Sequence, residues 1–310
     1  MKKFVLLLAG GLWLFSSCSL NNNNNDDDPD ARRELIAYLM HTSNINQIIL
    51  CLDPFNLAFR LNTLMTESEA YGGDVNHADL AQIRNDLFGT TTIAADNTGA
   101  YTLTLQGQGQ YDYLRSGSIT IQTNGSTLSN GNNWTISIPE SSKYSISNSG
   151  SIIALQVKEY TITSVEDNKW EIQIQELVSS KAGSSSDGNL ENDDEESTDK
   201  SNWSGKITIT QKTGDQTFAS IKETTYAMDV ASAHQITTMY TADTMSVQTT
   251  KSLTFNPDCK LGEHIVGNGV MSSAFTNSGA NPLDITLSTW KGEGNECDPE
   301  VETQFLGTVN

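Results

Sequence analysis

Apolar residues recur at three- and four-residue spacing between residues 31 and 89, and at every second position from about residue 99 onward. The first pattern predicts helices. Leu35, Ile36, Leu39 and Met40, then Ile45, Ile48, Ile49 and Leu52, form one apolar set, interrupted by Thr42-Ser43-Asn44. Asp53-Pro54 reads as an N-cap with proline at the first helical position, opening a second helix whose stripe is Phe55, Ala58, Phe59, Leu61, Leu64 and Met65. Gly72-Gly73 would end it, and a short third helix is predicted from Asn76 to Phe88, stopped by Gly89.

The second pattern predicts strands with one buried and one wet face, as in an antiparallel sheet. Tyr101-Thr-Leu-Thr-Leu105, Ser118-Ile-Thr-Ile121, Trp134-Thr-Ile-Ser-Ile138, Trp170-Glu-Ile-Gln-Ile174 and Lys206-Ile-Thr-Ile209 all alternate. Asn124-Gly125, Asp167-Asn168 and Gly214-Asp215 supply turn chemistry between such runs. Roughly ten to twelve strands are expected. The fold class is α+β, mainly β, with N-terminal helices (31–89) packed on an extensive antiparallel sheet (99–310), built as a sandwich or a partly open barrel.

Trp134, Trp170 and Trp203 each precede an Ile-x-Ile run, at spacings of 36 and 33 residues. Brought together they would make a stacking platform for sugar rings; read as packing, each covers a sheet end after a turn, and the packing reading is preferred because Trp commonly sits half buried. Residues 181–202 contain seven acids and two lysines and, apart from Ala182 and Leu190, nothing apolar. They read as a long exposed acidic loop or as a divider between two domains. Asn192-Asp-Asp-Glu-Glu196 lacks the ligand spacing and turn glycine of a calcium loop.

At the other end, Lys2 and Lys3 precede an apolar run of twelve residues, Phe4 to Phe15, that stops at Ser16-Ser17-Cys18. The run is short for a membrane span and has the layout of an export signal. The small residues before Cys18 resemble the lipobox of bacterial lipoproteins, with Phe15 where Leu is usual. The resemblance implies a signal peptide at 1–17, lipidation of Cys18 and attachment to a membrane through that lipid. Residues 18–30, with Asn21–Asn25 and Asp26–Asp28, then form a solvated tether. An acidic tract after the lipid-bearing cysteine resembles the export signal of Bacteroidetes surface lipoproteins, implying the outer membrane and its outer face; a periplasm-facing anchor is the alternative.

Charge narrows the partners. There are 38 acidic against 18 basic side chains, and with the two signal lysines gone the formal charge of −20 becomes −22. Such a chain lacks the clustered cations that nucleic acid requires. Four of those negative charges lie in the tether and a net five in 181–202, so the folded body is only moderately acidic.

An exported protein lives where disulfides persist. With Cys18 carrying lipid and Cys51 among helical apolar residues, Cys259 and Cys297 are the economical pair. Their surroundings, Phe255-Asn-Pro-Asp-Cys259, Gly267-Asn-Gly269, Gly292-Glu-Gly294 and Cys297-Asp-Pro-Glu-Val301 followed by Gly307, resemble the ending of certain uncharacterised Bacteroidetes lipoproteins. No activity or functional residue comes with that resemblance.

Chemistry is sparse. His41, His77, His234 and His264 are scattered, no Gly-x-Ser-x-Gly elbow is present, and neither Cys259 nor Cys297 has a CxxC partner. Gln106-Gly-Gln-Gly109 and Gly267-Asn-Gly269 lack the third glycine of a dinucleotide loop. No catalytic residue, metal ligand or cofactor is assigned. The expected function is a non-enzymatic surface lipoprotein whose β domain binds a ligand such as a glycan, or a partner in an outer-membrane assembly. A second expectation is a structural subunit of a surface polymer, resembling the fimbrillins and matured at Arg32-Arg33; a hydrolase comes third.

Overall fold

A computed structural model describes residues 29–108, 113–148, 151–181, 200–214, 217–219, 224–237, 242–256, 259, 265–276, 283–291, 297 and 299–309. Cys18, the signal, nearly all of the tether and His264 lie outside these residues, as do positions 182–199 of the acidic segment.

The helical region differs from expectation. One helix of 40 residues, α1 (Pro29–Ser68), runs through both predicted interruptions and carries Pro54 in its interior. Thr42 folds its hydroxyl back onto the Tyr38 carbonyl at 3.0 Å, so its polar group is satisfied without ending the helix. Pro54 removes one amide donor from the ladder. Beside that gap the Tyr160 hydroxyl donates to the Cys51 carbonyl at 2.8 Å, so the sheet supports the helix where its own bonding is weakest. Gly72 and Gly73, at φ of 71° and 82°, close the helical stretch as expected. The predicted third helix is a 3-10 turn, Ala78–Leu80, leading into α2 (Ala81–Phe88).

Every residue of α1 from Ile45 to Met65 is buried apart from the partly exposed Arg60. A helix covered around its whole circumference needs a sheet that curves around it. The strands are β1 (Thr92–Ala95), β2 (Ala100–Gln108), β3 (Tyr113–Gln122), β4 (Asn133–Ile138), β5 (Ser145–Asn148), β6 (Ser151–Glu166), β7 (Lys169–Lys181) and β8 (Lys200–Thr213). They continue as β9 (Thr225–Thr237), β10 (Ala242–Lys251), β11 (Leu253–Phe255), β12 (Ile265–Gly267), β13 (Gly269–Thr276), β14 (Leu283–Lys291) and β15 (Glu300–Val309). All pair antiparallel in one sheet, in the order β1-β2-β3-β4-β6-β7-β8-β9-β10-β13-β14-β15. β5 pairs with β3 and β6, and β11 pairs with β9 and β12.

The sandwich alternative is therefore not formed. Most neighbours in sequence are neighbours in space, the exceptions being β4 beside β6 and β10 beside β13, and the sheet stays open, with β1 at one end of the strand order and β15 at the other. β7 and β8, which flank the acidic segment, are hydrogen-bonded to one another from Lys169↔Thr210 to Ser180↔Lys200, so the segment joins two strands of one sheet. Alternation was a faithful guide: β4 is exposed and buried at successive positions throughout. By length and composition α1 could cross a membrane, yet most of its apolar residues are buried inside the protein, with Leu35 exposed.

Cys259 and Cys297 form the expected disulfide, with Cα atoms 5.4 Å apart and a sequence separation of 38. Cys51 is free and buried. Replacing both bonded cysteines by serine is expected to lower unfolding stability by about 3 kcal/mol, because the unfolded chain regains the freedom of a long loop. Urea unfolding with and without reductant checks this; equal midpoints would show that the bridge is energetically idle.

Candidate functional site

The three tryptophans do not form a platform. Trp134, Trp170 and Trp203 are at most 1% exposed and belong to the core. The Trp134 indole N–H donates to the Ser126 carbonyl at 3.0 Å, and Trp170 meets Phe59 of α1 edge to face at 4.7 Å. Trp203 lies inside β8, opposite Leu177 and His234, not ahead of the strand. The curved sheet directs each ring into the core, which removes them as sugar-stacking residues. Trp290 is buried as well.

The interior also holds the polar groups that sequence reading passed over. Asp53, expected as an N-cap, is a fully buried mid-helix carboxylate. Its Oδ1 accepts from Arg115 Nε at 2.8 Å and from a terminal guanidinium nitrogen at 2.6 Å, while Oδ2 accepts from the Tyr144 hydroxyl. Burial, and secondarily the Asp53 charge, push the Tyr144 hydroxyl well above its usual range. His41 is fully buried too, with Nδ1 2.7 Å from Ser273 Oγ and Nε2 2.8 Å from Ser288 Oγ. Ser288 Oγ lies 2.7 Å from Thr303 Oγ1. Burial lowers the His41 pKa to about 3, so the ring is neutral, one nitrogen donating and the other accepting.

A serine beside a neutral histidine resembles a nucleophile with its base. Two features deny that chemistry: no carboxylate bonds to the ring, and His41, Ser273 and Ser288 are between 0% and 2% exposed, so no substrate reaches them. The pair instead pins the helix to β13 and β14. Cys51 is similarly inert, because burial raises its thiol pKa well above the usual value. His77 has a local role: Nδ1 accepts from the Asp79 amide at 3.3 Å at the start of the 3-10 turn, and its ring stacks on Tyr71. No group of three metal-ligating side chains occurs among the described residues.

Accessible chemistry lies on the outer face of the sheet. A shallow, open depression of about 570 Å³ crosses β6 to β9, lined by Glu159, Gln173, Gln175, Ser204, Lys206 and Ala231. It forms where the register of β7 against β8 shifts between Ile174 and Leu177. In this bulge Glu176 takes φ of 58°, and its amide donates to Ser204 Oγ at 2.9 Å. The bulges at Gly107 and Gly307 adopt positive φ with glycine, which has no Cβ to clash. Glutamate in that conformation costs about 1 kcal/mol. Its ion pair with Lys158, 3.2 Å long and largely exposed, returns only a few tenths of a kcal/mol. No pattern of residue types announces this site; only an unexplained Glu following the alternating run Trp170–Gln175 hints at it.

Comparison with known proteins adds no relative: no protein-family model, no curated protein and no solved structure matches the chain. The class defined by fold and site is thus an open, helix-filled antiparallel sheet with a polar outer face.

Proposed function

We propose that the chain is a lipoprotein held to the outer membrane through Cys18, displayed at the cell surface, and acting there as a non-enzymatic binding or assembly module. The observation that carries this reading is the filled interior. α1 occupies the concave side of the sheet, its polar residues are locked onto sheet partners, and recognition falls to the outer face. The lipobox resemblance at Ser16-Ser17-Cys18 and the polar tract behind it supply the anchoring part.

A polymer subunit matured at Arg32-Arg33 fits less well. Both arginines lie within α1, and cutting there would leave the buried part of the helix, Ile45 to Met65, still filling the sheet. No groove for a donated strand would open.

Metabolic labelling with a fatty acid, followed by membrane fractionation, tests the anchor. The native protein is expected to carry label and sediment with membranes, and Cys18→Ala to lose the label and become soluble or accumulate as precursor. External protease on intact cells tests display. A Cys18→Ala protein that still carries label would sink the anchoring reading.

A further inference from the structure

We infer that the depression at the Glu176 bulge is a binding site for a neutral, hydroxyl-rich chain, that is, a stretch of oligosaccharide lying across β6 to β9. The inference rests on reading the chain as a binding module and gives that module a site and a ligand class.

The placement comes from register. Glu159 is opposite Gln175, Gln173 opposite Lys206, and Lys206 opposite Ala231, so two cross-strand rows of side chains border one hollow. The hollow exists because Ser204, Gly205 and Ala231 are small where neighbouring outward positions carry long side chains.

The ligand class follows from the functional groups. Two amides, one hydroxyl, one carboxylate and the Lys206 ammonium stand around a mainly apolar floor, which a sugar ring matches with its C–H faces below and its vicinal hydroxyls at the rim, since each hydroxyl both donates and accepts. Of the two charged lining residues Lys206 is paired, its Nζ 2.6 Å from Glu171, and the Glu159 carboxylate suits a neutral hydroxyl donor and disfavours an anion. A phosphate-bearing ligand would find a single, already paired lysine, and an apolar ligand would meet a polar rim. An open depression on a sheet suits a section of a chain and not an enclosed small molecule.

The bulge explains why a less favourable residue stands at position 176. Backbone held in a sparsely populated region is characteristic of ligand sites, and bulges re-aim side chains there. Glycine would relieve the backbone and loosen the placement of Gln175, the neighbouring residue that lines the depression.

The experiment is titration of the purified protein lacking its signal and lipid with cellohexaose, maltohexaose and a linear mannohexaose, with a hexameric polyuronate as the charged control. Calorimetry and Tm are the readouts. At least one neutral hexaose is expected to bind in the micromolar to millimolar range. The Gln173→Ala/Gln175→Ala double variant is expected to weaken it by roughly tenfold or more at unchanged Tm, since both side chains are exposed. Glu176→Gly is expected to raise Tm by about 2 °C while weakening binding. No binding of any neutral hexaose, binding of the polyuronate alone, or full affinity in the double variant each overturns the proposal. These failures leave the lipid anchor standing, and loss of the anchor would leave the titration result standing.

Discussion

Acidification is expected to remove about 5 kcal/mol of folding stability through His41 alone. In the unfolded chain this imidazole takes up a proton near pH 6.5; in the fold, burial holds its pKa at about 3. Between those values the unfolded state binds one more proton than the native state, so stability rises with pH. The contribution is complete above about pH 6.5, falls as the pH drops, and is gone once both states are protonated below about pH 3. Carboxylates titrate in the same window, so the effect must be read as a difference. His41→Gln keeps one donor and one acceptor toward Ser273 and Ser288 but cannot take up the proton. Urea unfolding at neutral pH and near pH 4 is expected to show the native protein losing about 3 kcal/mol more than the variant. Parallel losses in both proteins would mean that His41 is reached by solvent, and that the pin between α1 and the β13–β14 pair is looser than its geometry.

Local rules were enough wherever the side chain in question answered to its immediate neighbours. Trp134 to Ile138 alternate in sequence and alternate in burial, because one face of β4 lies on the core. Asn168, at φ of 62°, turns β6 into β7 where Asp167-Asn168 promised a hairpin. The disulfide followed from compartment and elimination. Local rules failed where a distant partner decided the outcome. Asp53-Pro54 has the chemistry of a helix start, yet Arg115 and Tyr144, 62 and 91 residues away, accept Asp53 as a buried mid-helix anion. Thr42-Ser43-Asn44 looks like a break, but Thr42 bonds back to the Tyr38 carbonyl and the stretch enclosed by the sheet from Ile45 onward holds the helix, which outweighs weak propensity. The packing reading of the tryptophans was right in kind, but Trp203 sits within β8 and not at its end, and all three rings are core and no platform, because alternation gives the face of a strand but not which face the helix covers. Glu176 was invisible for a different reason: positive φ at a bulge leaves a trace when glycine or asparagine supplies it, and none when glutamate does.

Asp53→Ala is expected to destabilise the protein by about 4 kcal/mol. The substitution leaves the Arg115 guanidinium, only 15% exposed, without its counter-ion and the Tyr144 hydroxyl without its acceptor, both at the seam between α1 and the sheet. Removing both charges is a different matter. A packed apolar pair at the same positions needs no ion desolvated, so Asp53→Leu/Arg115→Leu is expected to recover most of the loss, and the non-additivity measures the pair itself. Tyr144→Phe, which removes one hydrogen bond and no charge, is expected to lose about 1 kcal/mol. Chemical unfolding of the native protein, Asp53→Leu, Arg115→Leu and the double variant gives the cycle, and should Asp53→Ala not fold, Asp53→Asn replaces it, keeping shape and an acceptor while deleting the charge. A loss under about 1 kcal/mol for both Asp53 variants would show that the anion is incidental. The alternative outcome has a structural meaning beyond one residue. His41 ties the first half of α1 to β13 and β14, late in the strand order; Asp53 ties its middle to β3, near the start. An open sheet has no closing hydrogen bonds to fix its curvature, so polar pins on one enclosed helix, set toward opposite ends of the strand order, add to the apolar core in keeping the sheet wrapped.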